Sequence, residues 1–182
     1  MPYNSLREFL DRLEREKQLV RMDKEVLPEP DISAAACAAS KIQGGPAILF
    51  ERIQGYEGKK VVMNIHGSWK NHALMLEMPK DTGIKEQFQE LVKRWDDFPI
   101  PPKEVSKAPL KEIIINKNIN LFNEIPLFRV NRYDGGYYLS KACVVSKDPE
   151  NPKIQNVGIY RLQVKDKDRI GIQMGAHHDI AV

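Results

Sequence analysis

The sequence predicts an α/β fold: an N-terminal α/β unit over residues 1–100, then a run of strands that begins a barrel or sandwich. Three observations predict it. Apolar residues recur at helical spacing in separate segments of the first unit, with short apolar runs of strand length between them. A Pro-rich break follows. After it, three strand-like runs are separated by short polar turns, the pattern of antiparallel neighbours.

The elements follow in order. Ser5 with Glu8 three residues later forms a capping box, and Leu6, Phe9, Leu10 and Leu13 mark one face of an amphipathic helix. LPEP breaks that pattern before a second helix, DISAAACAASKI, whose alanines permit close approach to a neighbouring element. Gly44 and Gly45 stop it; AILFERI and KKVVMNIHG then read as strands. A third helix, within DTGIKEQFQELVKRW, carries Ile84, Phe88, Leu91, Val92 and Trp95 at helical spacing. DFPIPPKEVSKAP holds four prolines among scattered charges, so a linker is placed at 101–112 and a second domain at 113–182. Its strand-like runs are YYLSKACVVSKD, KIQNVGIYRLQVKD and RIGIQMGAHHDIAV, joined by DPENP and KDKD. The last run ends at Val182 in mid-strand, with no helix to close it, so the chain reads as the front of a longer protein.

Composition narrows the function classes. With 28 basic against 25 acidic residues, the net charge of +3 is too even a mixture to make a strong nucleic-acid field, and no nucleic-acid partner is expected. No stretch approaches a membrane span and no apolar signal region opens the chain, so no membrane association and a cytoplasmic address are expected. Cys37 and Cys143, far apart in apolar surroundings, read as small buried hydrophobes.

Several segments could carry chemistry. HGSWKNHAL reads either as a ligand loop or as a helix start capped by Ser68 with a packed Trp69. In NRYDGGYYLSK the glycines make a turn, and the tyrosines pack or meet a planar ligand. QNVGIYRLQV is less ordinary: strict alternation separates Asn156 from Arg161, yet an apolar segment carries both, with Gly158 between. His177 and His178, as neighbours on a strand, point to opposite faces unless Gly175 and Ala176 introduce a bulge. The KDKD turn brings that run beside QNVGIYR, so the Asn156 amide and the His178 imidazole could serve a manganese or magnesium ion, as two neutral ligands lacking a carboxylate.

QNVGIYRLQVKDKDRIGIQMGAHHDIAV closely resembles the UbiD-type decarboxylases, which carry Asn-x-Gly-Ile-Tyr-Arg and, after a hairpin, a histidine before Asp-Ile-Ala. LREFLDRLEREKQLVR, EVLPEPDI, MNIHGSWKNHALMLEMPKDT, INLFNEIPLFR and GGYYLSKACVVSKDP resemble the phenolic-acid branch, of vanillate and 4-hydroxybenzoate type. The resemblance implies a second domain that is the first part of a split β-barrel, flavin-reductase-like and FMN-binding. It implies prenylated FMN, held through Mn2+ with K+ nearby. Asn156 and His178 would be metal ligands, and Val157, Gly158, Ile159, Tyr160 and Arg161 would line the cofactor. Arg161 would also be the catalytic residue facing the substrate carboxylate. His177 stands where the family usually has glutamine or methionine and is kept as a fallback for His178. Gly158 would relax the strand so that Asn156 and Arg161 reach one pocket.

The implied reaction is reversible decarboxylation of a phenolic acid. The remaining glutamate ligand, the proton donor and the oligomerisation domain are expected beyond Val182, so this chain alone should be inactive. The implied partners are a flavin prenyltransferase of the UbiX type as cofactor supplier, a small accessory subunit, and further copies of the full-length protein in a homo-oligomer. A non-catalytic flavin-binding or assembly module is the alternative.

Overall fold

A computed structural model describes residues 3–97 and 104–181. Helix α1, Leu6–Arg15, starts where Ser5 accepts a hydrogen bond from the Glu8 backbone N–H at 3.2 Å; Glu8 reaches back to the Asn4 backbone, one residue before the position a capping box uses. Strand β1, Leu19–Met22, runs parallel to β2, Ala47–Phe50, with helix α2, Asp31–Ser40, as the crossover. Strand β3, Val61–Met63, closes the sheet antiparallel to β2.

Every residue of β2 is buried, because both faces of the sheet are covered. Phe9, Leu10 and Leu13 of α1 pack with Ala47, Leu49 and Leu74 on one face. Ile32 and Ala39 of α2 pack with Ile48, Phe50 and Ile53 on the other, so the alanine-rich face is a packing surface. Helix α3, Trp69–Met75, begins at Ser68, whose hydroxyl accepts from the Asn71 N–H, and the buried Asn71 amide donates to the Ile65 carbonyl.

Four expectations fail here. Leu6 is 53% exposed, because the α1 contact with the sheet begins only at Phe9. Trp69 is exposed beside the Ser68 cap instead of packed. Helix α4, Ile84–Trp95, forms as predicted, but Ile84, Phe88, Leu91, Val92 and Trp95 are all exposed. Its attachment is polar: buried Gln87 donates to the Trp69 and Thr82 carbonyls, and Arg94 to the Leu76 carbonyl. Both cysteines are free and exposed, contrary to the buried reading: Cys37 lies off the buried Ile32–Ala36–Ala39 face of α2, and Cys143 on the open face of its strand.

Residues 98–103, most of the proline run, lie outside the described residues, as does Val182. Beyond them come a short 3-10 helix, Pro109–Lys111, and α5, Leu121–Glu124. Leu127 is buried, Phe128 packs against the α2 side of the first core, and Arg129 pairs with Glu29 at 3.0 Å. Three strands follow, β4 Tyr137–Lys147, β5 Gln155–Asp166 and β6 Arg169–Ile172, in an antiparallel meander. The meander is as predicted, and it forms an open sheet among the described residues. The last predicted strand is shorter than expected: it stops at Ile172, and a turn leads into a 3-10 helix, Asp179–Ala181.

Candidate functional site

Strand β5 keeps its alternation around Gly158, and its own register shift, against β6, falls between Val164 and Asp166. Its pairing with β4 is unbroken from Lys147↔Gln155 to Ala142↔Tyr160, so Gly158 does not relax it and Asn156 and Arg161 lie on opposite faces. The glycine has another use. A Cβ at 158 would stand 2.4 Å from the Tyr160 ring, so the missing side chain is what lets that ring lie flat over the strand.

Tyr160 is buried and gathers two predicted residues. Its hydroxyl takes a hydrogen bond from the Asn156 amide nitrogen at 3.2 Å, and its ring meets the His178 imidazole edge-on, centroids 5.7 Å apart. His178 comes there because the chain leaves β6 and turns: the His178 N–H donates to the Gly175 carbonyl, and the Gly175 N–H to His178 Nδ1 at 3.0 Å. Since the histidines stand in this turn and not on a strand, both enter one space, with ring centroids 4.5 Å apart.

That space is a hollow of about 350 Å³ lined by Ile159, Tyr160, Arg161, Met174, His177 and His178, among others. Arg161 thus meets the histidines around the free edge of β5, where β6 has ended. A second hollow, of about 450 Å³, shares Arg161, Gln173 and Met174 with the first and adds Tyr138, Gln163, Lys165 and Gly171. Sequence reasoning did not single out Gln173, Met174 or Lys165; plain counting from the KDKD turn misses Gln173, because the register shift between Val164 and Asp166 is what sets it opposite Arg161.

The donor set fits a cation in part. Asn156 and His178 both contact Tyr160, at its hydroxyl and its ring, and offer an amide and an imidazole as two neutral ligands. Acceptance at Nδ1 places the proton of the neutral His178 ring on Nε2, so a metal there needs the other tautomer. Among the described residues no group of three His, Cys, Asp or Glu could hold a metal.

In the HGSWKNHAL segment, His66 and His72 lie edge-on at 5.3 Å, with Trp69 5.3 Å from His72. Desolvation, then the nearby Lys141 and His72, holds the His66 imidazole below its ordinary value.

Two family models match the chain: the 3-octaprenyl-4-hydroxybenzoate carboxy-lyase N-terminal domain over residues 10–91, and the Rift-related domain of the same carboxy-lyase over 103–182. The phenolic acid decarboxylase of Bacillus subtilis (strain 168) is 55% identical, the match covering 100% of this chain and 39% of the relative. The phenolic acid decarboxylase of Sedimentibacter hydroxybenzoicus is 56% identical, over 99% of this chain and 38% of the relative. Among solved structures, the closed form of the Sedimentibacter vanillic acid decarboxylase (ShVdcCD) superposes with TM-score 0.94 at 56% identity, covering 98% of this chain and 39% of that one. An evolved dimeric form of the UbiD-class enzyme HmfF from Pelotomaculum thermopropionicum, in complex with prFMN, superposes with TM-score 0.82 at 34% identity, over 97% of this chain and 39% of that one. The chain therefore spans about two fifths of the length of these relatives.

Proposed function

Because the chain belongs to the UbiD family, we propose that it forms the N-terminal part of a carboxy-lyase that uses prenylated FMN to decarboxylate a phenolic acid such as 4-hydroxybenzoate or vanillate, reversibly and without net oxidation. The observation that carries the reading is the shared hollow: Arg161, His177 and His178 line one space, and Asn156 joins it through Tyr160. The Bacillus and Sedimentibacter relatives support the substrate class, and the HmfF complex supports the cofactor.

Losing carbon dioxide from an aryl carboxylate leaves electron density in an sp² orbital that the ring does not delocalise, and bound prenylated FMN supplies the electron sink that side chains lack. The protein's own residues bind and orient. Arg161 offers charge-assisted hydrogen bonds to the substrate carboxylate, and Ile159 and Met174 give the hollow an apolar lining. Val157, Gly158 and Tyr160 continue the cofactor surface. Asn156 and His178 would hold Mn2+ as two neutral ligands, with His177 as the alternative donor; K+ would sit nearby, and the charge-balancing carboxylate would come from outside these residues.

In this reading residues 113–182 are the first part of a split β-barrel, joined to the 1–100 domain by the 101–112 linker. A flavin prenyltransferase of the UbiX type supplies the cofactor. A small accessory subunit is proposed on the likeness to ShVdcCD, which includes ShVdcD, and self-association on the dimeric form of HmfF. The proposed address is the cytoplasm; among the described residues no helix is long and apolar enough to cross a membrane.

The test is to incubate the full-length parent with prenylated FMN, Mn2+ and 4-hydroxybenzoate and to follow carbon dioxide. Cofactor-dependent release is expected from the parent and none from the 182-residue chain alone. A parent that releases nothing overturns the reading, and flavin that copurifies without turnover points to a non-catalytic flavin-binding module.

A further inference from the structure

Arg161 is held by two residues that the preceding reading gives no role. Gln173 stands opposite it across the β5–β6 ladder: the Gln173 backbone N–H donates to the Arg161 carbonyl at 3.1 Å, and the Gln173 side-chain oxygen accepts from Arg161 Nη2. Arg161 Cζ lies over the Tyr138 ring, 5.3 Å from its centroid.

Tyr138 reaches the Arg161 face of the sheet because of a bulge. The register runs Leu139↔Leu162 and then Ala142↔Tyr160, so β4 carries one extra residue: two, Ser140 and Lys141, stand opposite the single Arg161. On the Tyr138 side of the bulge, even-numbered residues of β4 pair with odd-numbered residues of β5; beyond it they pair with even-numbered ones. Without the extra residue, Tyr138 would stand on the Asn156–Tyr160 face and the guanidinium would lose its support.

The chemistry of the support is selective. A carboxylate opposite Arg161 would fix the guanidinium equally well but would neutralise it and compete with any anionic ligand. The Gln173 carboxamide orients it and leaves its charge available. Lys165, on the same face and also drawn to an amide oxygen, that of Gln163, adds a second cation to the hollow.

We infer that Gln173 and Tyr138 are positioning residues for Arg161, holding a charged but oriented guanidinium ready for the carboxylate of a planar aromatic acid. The inference rests on the proposed role of Arg161 and goes beyond it in saying what makes that arginine selective.

The test uses the 182-residue chain with its arginine side chains labelled with 15N. Solvent exchange of the Arg161 Nη2–H protons, which make the bond to Gln173, is measured without ligand. The chain is then titrated with 4-hydroxybenzoate and with its neutral analogue 4-hydroxybenzamide. In the wild type, Arg161 exchange is slower than in free arginine and the carboxylate is preferred over the amide. Gln173→Ala speeds exchange and reduces the preference about tenfold, the scale of one hydrogen bond to a charged group. Tyr138→Leu does the same to a smaller extent. Gln173→Glu separates orientation from charge: exchange stays slow while the preference for the carboxylate disappears.

If Gln173→Ala leaves both exchange and preference at wild-type values, or if Gln173→Glu keeps the preference, the positioning inference is overturned. A wild type with no carboxylate preference overturns it as well. Arg161→Ala tests the underlying reading separately: a preference that survives it removes Arg161 from the carboxylate site, whatever Gln173 does.

Discussion

The two units of this chain distribute their buried residues in opposite ways, and the difference shows where stability and chemistry are placed. In the first, a fully buried strand lies between α1 with α3 on one side and α2 on the other, and Leu13, Ile32, Phe50 and Leu74 are completely enclosed. In the second, a longer three-stranded sheet buries only Tyr160 and Val164 among its strand residues, while Val145, Val157 and Ile159 face outward. A core that tolerates no change leaves little room for a ligand. A sheet with an open face and a strand that outlasts its neighbour makes hollows, and Arg161 and the histidines stand there.

The sharpest way to break the first half of this comparison is Phe50→Ala. Phe50 is enclosed between α2 and the loop after β2, so the substitution leaves a cavity that neighbours fill only in part, at a cost of about 3–5 kcal/mol. Urea denaturation followed by circular dichroism measures it. A loss below about 1 kcal/mol would mean the first unit repacks as freely as a surface.

Gly158→Ala probes the second unit and should cost less, about 1–3 kcal/mol, because the Tyr160 ring must move to admit a Cβ. Its local effect is the more telling. As the ring lifts, Asn156 loses its hydroxyl partner and His178 its ring neighbour, so the His178 Cε1–H resonance should shift by NMR while the core methyls of the first unit stay put. An unmoved His178 resonance would show that Tyr160 does not gather the two side chains.

The same contrast decides how much of the molecule was legible in its sequence. Elements whose apolar period meets a real core were readable: Phe9, Leu10 and Leu13 face the sheet, and the alanines of α2 pack as expected. The period of α4 was equally clear but its direction was not, because a moment says which face is apolar and not whether anything covers it; Gln87 and Arg94 fix that helix by hydrogen bonds that leave no periodic trace. Strand β1, only four residues long, hides behind the charged end of α1 and is recruited by parallel pairing with β2. At the site, the residue types were visible and the route by which they meet was not. The meeting depends on where β6 stops and on a one-residue bulge in β4, and no residue type marks either.

The smallest predicted effect concerns the seam between the units. Arg129, just after α5, pairs with Glu29, before α2, through both its guanidinium and its backbone N–H, and the side-chain hydrogen bond holds the Glu29 carboxyl below its ordinary value. A carboxyl whose folded value is depressed binds fewer protons in the folded chain than in the unfolded one, so its contribution is complete above the ordinary glutamate range and is lost as pH falls below it. Glu29→Gln should therefore lower the urea midpoint slightly at pH 7, and wild type and variant should converge on acidification below about pH 4.5. Glu14, Glu51 and Glu90 are depressed as well, by Arg21, Lys60 and Arg94, but they act alike in both proteins and cancel in the difference. A gap that stays constant from pH 7 to pH 3 would mean that Glu29 serves the seam by shape and backbone bonding alone, and that its charge does not hold the open sheet to the closed core.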